Sequence, residues 1–358
     1  MKKLPSFVLA LTLVATPALA GDIKILFIGN SFTYGAASGT LHYNSATVSD
    51  LNRENIGGVP ALFESFTEQA GLKYKVSLET HPGANLDWHY NNRFRQINRS
   101  WDVVVMHGYS TLDAASPNDP TKLIDYAGRL SQAFVRRNRN VKIYLTATWS
   151  RADLVYRGTG IWAGTPITKM AQDVREGYSR AAQANPQITE IIPVGEAWNM
   201  AFTSGIADAN PYDGIDFDKI DLWGWDHYHA SNYGYYLHAL VVFAQVTGKD
   251  PRTLGAREKS ANDLGISPNQ ASALQGIAYD ILRGEFEKNC EHSKNIYSLI
   301  QLCFFRRGFY WALKFGPKTR QLRHFRSHQC KCSCCVPFLL ALTNLQHGLN
   351  PPCFEANN

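Results

Sequence analysis

Five short runs rich in β-branched residues recur along the chain: IKILFIG, YKVSLETH, WDVVVMHG, VKIYLTATW and ITEIIPVG. Strands this apolar must be covered on both faces, which is the condition of a parallel sheet and not of a solvated hairpin sheet. The segments between them have helical spacing. VPALFESFTEQAG carries Pro60 near its start and Gly71 at its end, the usual places for those residues in a helix. PTKLIDYAGRLSQAFVRRN, ITKMAQDVREGYSRAAQAN and YGYYLHALVVFAQVTG follow. The alternation predicts an α/β fold, a three-layer α/β/α sandwich around a mainly parallel sheet. In that architecture ligands bind beyond the C-terminal strand ends. Polar groups stand at each such end: Ser31 after the first run, His81-Pro82-Gly83 after the second, His107 to Ser110 after the third, and Thr146 to Ser150 after the fourth.

The two ends of the chain differ from this body. Lys2 and Lys3 precede the apolar run FVLALTLVATPALA, which ends in Ala18-Leu19-Ala20. A basic start, a short apolar stretch and an A-x-A end describe a secretory signal peptide, with cleavage expected after Ala20. The mature chain is expected to be exported, periplasmic or extracellular, with no membrane span. Residues 21–287 form the expected domain. All seven cysteines lie beyond it, from Cys290 to Cys353, so the body cannot depend on disulfides. Of 36 Lys/Arg and 30 Asp/Glu, ten and two lie at or beyond Lys288, leaving 26 basic and 28 acidic residues before it. The net charge of +6 therefore belongs to the tail, and the body offers no basic groove for nucleic acid. Residues 288–358 show no sustained period. They read as a read-through or frameshifted end or a poorly ordered extension, with a small metal or membrane-surface module as the alternative. KCSCC lacks the paired C-x-x-C spacing of a zinc site.

A serine at a strand end becomes a nucleophile only with a base to take its proton and a third group to orient that base. Among the seven histidines of the body, WGWDHYHASNYG alone supplies base and orienter together, with Asp226 three residues before His229. The bland reading has Asp226 capping the next helix and His229 packed. A metal reading would use His227 and His229 with Asp221 or Asp226. No glycine-rich phosphate loop and no G-x-S-x-G elbow is present.

GNSFT after the first strand, followed near the end of the domain by DHYHAS, resembles the SGNH (GDSL-type) serine hydrolases over roughly residues 22–250. The resemblance implies a flavodoxin-like sheet and ester hydrolysis without cofactor or metal. It implies Ser31 as nucleophile, His229 as general base and then acid, and Asp226 as orienter. The implied oxyanion hole takes the Ser31 N–H, the Gly83 N–H and a side chain after the third strand. The family commonly has asparagine there, whereas this chain has Ser110, with His107, Tyr109 or Asn85 as substitutes. Asn30, Asn85, His107, Tyr109, Trp225 and Tyr228 are the expected substrate contacts. The long stretch between Tyr34 and Gly58 is expected to be a lid or binding loop, or disordered. Trp149, Trp162, Trp198, Trp223, Trp225 and Tyr228 crowd the same edge, which favours a carbohydrate ester over other small-molecule esters as substrate. A non-catalytic carbohydrate-binding protein on the same fold, and a metal-dependent hydrolase, are the alternatives.

Overall fold

The computed structural model describes residues 21–284; the expectations for residues 1–20 and 288–358 lie outside the described residues. The sheet has six strands: β1 (Ile23–Gly29), β2 (Ser49–Asp50), β3 (Tyr74–Thr80), β4 (Val103–Met106), β5 (Lys142–Ala147) and β6 (Glu190–Pro193). Their order is β2-β3-β1-β4-β5-β6 and every pairing is parallel. The five predicted runs are the five long strands of this sheet. Only two-residue β2 was unforeseen, inside the polar stretch after Tyr34.

Chain direction across the sheet reverses at β1, which has β3 on one side and β4 on the other. Crossovers leaving in opposite directions put their helices on opposite faces. Helix α2 (Gly58–Gln69) packs against α7 (Asn232–Thr247), while α3 (Leu86–Ile97), α4 (Thr121–Arg137) and α5 (Thr168–Ala184) pack in sequence. Strands β1 and β4 are buried from Ile25 and Val103 onward, as two-sided cover requires. The same reversal places a topological switch point at the C-terminal ends of β1 and β4, where sheets of this kind bind ligands.

Four helices match their predicted spans to within two residues. Helix α3 was not predicted, because its buried face is partly polar. His89 lies there, fully buried, with Nδ1 on the equally buried Glu79 carboxylate of β3. Helix α6 (Val194–Thr203) begins directly after β6, at the residue following Pro193. A one-turn helix α1 (Ser31–Tyr34) and a short α8 (Lys259–Asp263) complete the named helices, and a further helix covers 268–284.

The stretch between Tyr34 and Gly58 is built into the body, which corrects the lid expectation. Its β2 pairs with β3, and the Asp50 carboxylate accepts the N–H groups of Asn52, Glu54 and Ile56. Gly39 N–H donates to Asn232 Oδ1 on α7, and the Tyr43 hydroxyl to Asp263 on α8. The segment covers the sheet edge beside β3. Among the described residues no helix is long and apolar enough to cross a membrane.

Candidate active site

The turn after β1 is fixed by Gly29 and Asn30. A side chain on Gly29 would run into Thr33 Oγ1 and His107 Nε2, so only glycine lets β1 and the end of β4 close up here. Asn30 then spends its whole amide within the fold. Its two N–H groups donate to the carbonyls of Ala84 (2.9 Å) and Gly108 (3.1 Å), and its oxygen caps Phe32 N–H. One side chain thus ties together the loops after β1, β3 and β4. Asn30 is a brace with no N–H left for a substrate, which corrects the expectation for it. Ser31 follows as the first residue of α1, with its carbonyl held by the Tyr235 hydroxyl at 3.0 Å.

His107 is also a brace. Nδ1 lies 2.9 Å from the Gly108 carbonyl, which can only accept, so the proton is on Nδ1. Nε2 must then accept from the Thr33 hydroxyl, 2.7 Å away. Burial pushes its pKa down to about 4, so the ring is neutral near pH 7. No N–H remains for a substrate or an oxyanion, and the expectation that His107 supplies one does not hold. Asn85 likewise joins two loops. Its oxygen accepts from Leu86 and Tyr109 N–H, and its nitrogen donates to the Leu112 carbonyl.

Gly83 has φ +65°, which glycine adopts without strain, and the position a side chain would occupy there is open. The backbone N–H groups of Ser31 and Gly83 donate to no group among the described residues. Beside Gly83 a cleft of about 400 Å³ runs between the loops after β3 and β4, lined among others by Trp88, Tyr109, Asp113 and Lys122. Ser110 is buried, and its hydroxyl has neither solvent contact nor a hydrogen-bond partner of normal geometry. It stands at the expected place in the chain but too deep for direct contact with a substrate.

Asp226 and His229 come from the segment before α7. The Asp226 carboxylate accepts the His229 Nδ1–H at 2.6 Å and the backbone N–H groups of His229 (2.9 Å) and Tyr228 (3.1 Å). Burial alone would push the Asp226 pKa up, but the hydrogen bonds from His229 and the backbone outweigh it and hold the group below the usual carboxylate value. Asp226 is therefore ionised and fixes the Nδ1–H tautomer, leaving Nε2 as the free nitrogen. The His229 ring lies edge-on to Phe32, the residue after Ser31, at 5.8 Å between centroids. The helix-cap role belongs to Ser231, whose hydroxyl accepts Gly234 N–H, and not to Asp226. His227 packs against Tyr212 instead of joining His229 around a cation. Among the described residues no group of three His, Cys, Asp or Glu side chains is placed to hold a metal ion.

Most of the predicted aromatic platform is core. Trp149, Trp162, Trp198 and Trp223 are buried, and Trp149 stacks between Phe32 and Trp198. Trp225 is 80% exposed beside Asp226, and Tyr228 is half-buried. Arg151 gave no signal in the sequence, yet its guanidinium lies 3.6 Å from the Tyr228 ring centroid while pairing with Asp153.

No protein-family model matches the sequence, and no curated protein matches it. Among solved structures the chain is similar to a DUF4886 family protein from Bacteroides uniformis ATCC 8492, at 18% identity over 73% of this chain and 95% of that one, with a TM-score of 0.49. It is similar to a Clostridium thermocellum family 3 carbohydrate esterase, at 17% identity over 62% and 94%, TM-score 0.40. It is also similar to an acetylxylan esterase from Geobacillus stearothermophilus, crystallised as a catalytic mutant, at 14% identity over 63% and 95%, TM-score 0.41. At these values the likenesses carry no weight for the chemistry of this chain.

Proposed function

We propose that this protein is an exported serine esterase of the SGNH type, acting on carboxylic esters through Ser31, His229 and Asp226. The observation that carries the reading is the Asp226–His229 pair, which holds the imidazole in the base tautomer against the residue next to Ser31. Ser31 Oγ attacks the ester carbonyl while His229 Nε2 takes its proton. The same proton then passes to the leaving alcohol, and an acyl-enzyme remains on Ser31. His229 next deprotonates a water molecule that attacks the acyl carbon, releasing the acid and free Ser31. The unengaged N–H groups of Ser31 and Gly83 are the donors proposed for the developing oxyanion.

Acetylated carbohydrate is the preferred substrate. Support comes from the polar lining of the cleft beside Gly83, from exposed Trp225 next to the pair, and from the expected export. Fluorophosphonate labelling, read by intact mass and peptide mapping, tests the chemistry. One adduct on Ser31, lost in His229→Ala, is expected. A folded protein that takes no adduct would leave the second reading, a binding protein on the same fold. That reading is favoured by the inaccessible Ser110 hydroxyl at the usual asparagine position. Export is tested by N-terminal sequencing of the secreted protein, expected to begin at Gly21.

A further inference from the structure

An oxyanion hole built from two backbone N–H groups lacks the side-chain donor that the strand β4 loop would ordinarily supply. Two groups near that place are spent or out of reach: His107 has no N–H left, and the Ser110 hydroxyl is sealed from solvent. Asn85 is anchored through its oxygen to the Leu86 and Tyr109 N–H groups and through one N–H to the Leu112 carbonyl, which leaves it a single N–H. A buried hydroxyl without a partner of its own is costly and calls for an explanation.

The neighbouring group is Tyr228. Its hydroxyl lies beside Ser110, and its ring packs on both His229 (4.1 Å between centroids) and Phe32 (5.5 Å). The side chain therefore crosses from the segment that carries His229 to the β4 loop, over the residue adjoining Ser31. Its outer face is covered by the Arg151 guanidinium, which is itself locked to Asp153. Asp153 N–H donates to the His227 carbonyl, so the same unit holds the backbone beside Tyr228. Burial raises the phenol pKa and the nearby cation opposes that rise; with the net shift upward, the group keeps its proton at neutral pH.

We infer that the Tyr228 hydroxyl is the third donor to the oxyanion, with the Ser110 hydroxyl behind it as a positioning group and Arg151 holding the ring. The inference rests on the esterase reading. In the substrate complex the Ser110 hydroxyl turns to donate to the phenol oxygen, which leaves the phenol O–H for the substrate carbonyl oxygen as its charge develops. The donor lost from the β4 loop is thus replaced from the segment that also delivers the base.

The test is steady-state hydrolysis of p-nitrophenyl acetate by the purified full chain. Tyr228→Phe keeps the ring on His229 and Phe32, so a purely structural role predicts no change. The expected result is a fall in kcat of about 100-fold with KM changed less than about threefold, the signature of a donor used in the transition state. The shape of the pH–rate profile should be unchanged, since His229 keeps its neighbours. Ser110→Ala should cost less, about tenfold, and should cost nothing further in the Tyr228→Phe background. A Tyr228→Phe enzyme within about twofold of the parent kcat, or a loss found in Tyr109→Phe instead, would overturn the inference. Ser31→Ala separates the two levels. If it is inactive and Tyr228→Phe is unimpaired, only this inference falls; if it retains the parent rate, the esterase reading falls and takes the inference with it.

Discussion

At the ends of β1, β3 and β4 the site is held by amide and imidazole side chains, whereas the segment from Asp221 to Ser231 is held by aromatic rings. On the first side Asn30, Asn85 and His107 each hydrogen-bond to backbone groups. On the second, Trp149 Nε1 donates to the Tyr228 carbonyl, Trp223 Nε1 donates to the Ser150 carbonyl, and Tyr212 packs on His227. The difference follows from the lengths of chain involved. Short loops between adjacent parallel strands leave backbone carbonyls close together and unpaired, and an amide satisfies them. The long stretch between α6 and α7 has only two isolated backbone bridges, Ala207–Ile220 and Trp223–Ala230, and no extended ladder. It must bury large apolar surfaces to offset the entropy of being ordered. Trp149 joins the two constructions, with one face on Phe32 beside Ser31 and its N–H on the segment carrying His229.

The largest expected effect is on the aromatic side. Trp223→Ala, at a residue 1% exposed, should cost about 3–5 kcal/mol in urea unfolding. A loss below about 1 kcal/mol would mean that rings do not hold this segment. Asn30→Ala should cost less stability, about 1–3 kcal/mol, because it strands two buried carbonyls and one N–H. Its effect on Ser31 should nonetheless be the larger. Fluorophosphonate labelling is expected to slow more in Asn30→Ala than in Trp223→Phe, and the reverse order would break the comparison.

Acid should act through the buried imidazoles. Burial lowers His107 to about 4 and His238, which packs on Trp149, to about 3. Unfolded, both would titrate near the ordinary value of about 6.5. Below that pH the unfolded chain binds more protons, so stability falls as pH drops from about 6.5 toward about 4 for His107 and about 3 for His238. Melting temperatures should be flat between about pH 7 and 8 and lower at about pH 5. A profile flat throughout would show that these rings are not desolvated. The smallest effect is expected at the exposed Asp125–Arg129 pair on α4, where Asp125→Ala should leave the urea midpoint unchanged.

The strand runs were legible because two-sided burial leaves an unbroken apolar signature, and the predicted helices because their faces alternate cleanly. The pairing of Asp226 with His229 was also legible, since three residues on an irregular segment keep both side chains within local reach. Helix α3 was hidden, because its buried face spends a position on the His89–Glu79 pair and the apolar period fails there. The roles of Asn30 and His107 were hidden for a different reason. A free amide or imidazole and one fully spent on distant backbone groups have the same one-letter code. Four of the tryptophans taken for a substrate platform proved to be core, and no spacing rule separates the two uses. By itself, then, the sequence determined the layers, the strand order's raw material and the local Asp226–His229 pair, all of which depend on period and proximity along the chain. Only the tertiary structure decided which polar groups remain unengaged at the C-terminal ends of β1, β3 and β4, because hydrogen bonds between residues 54 to 78 positions apart consume the others.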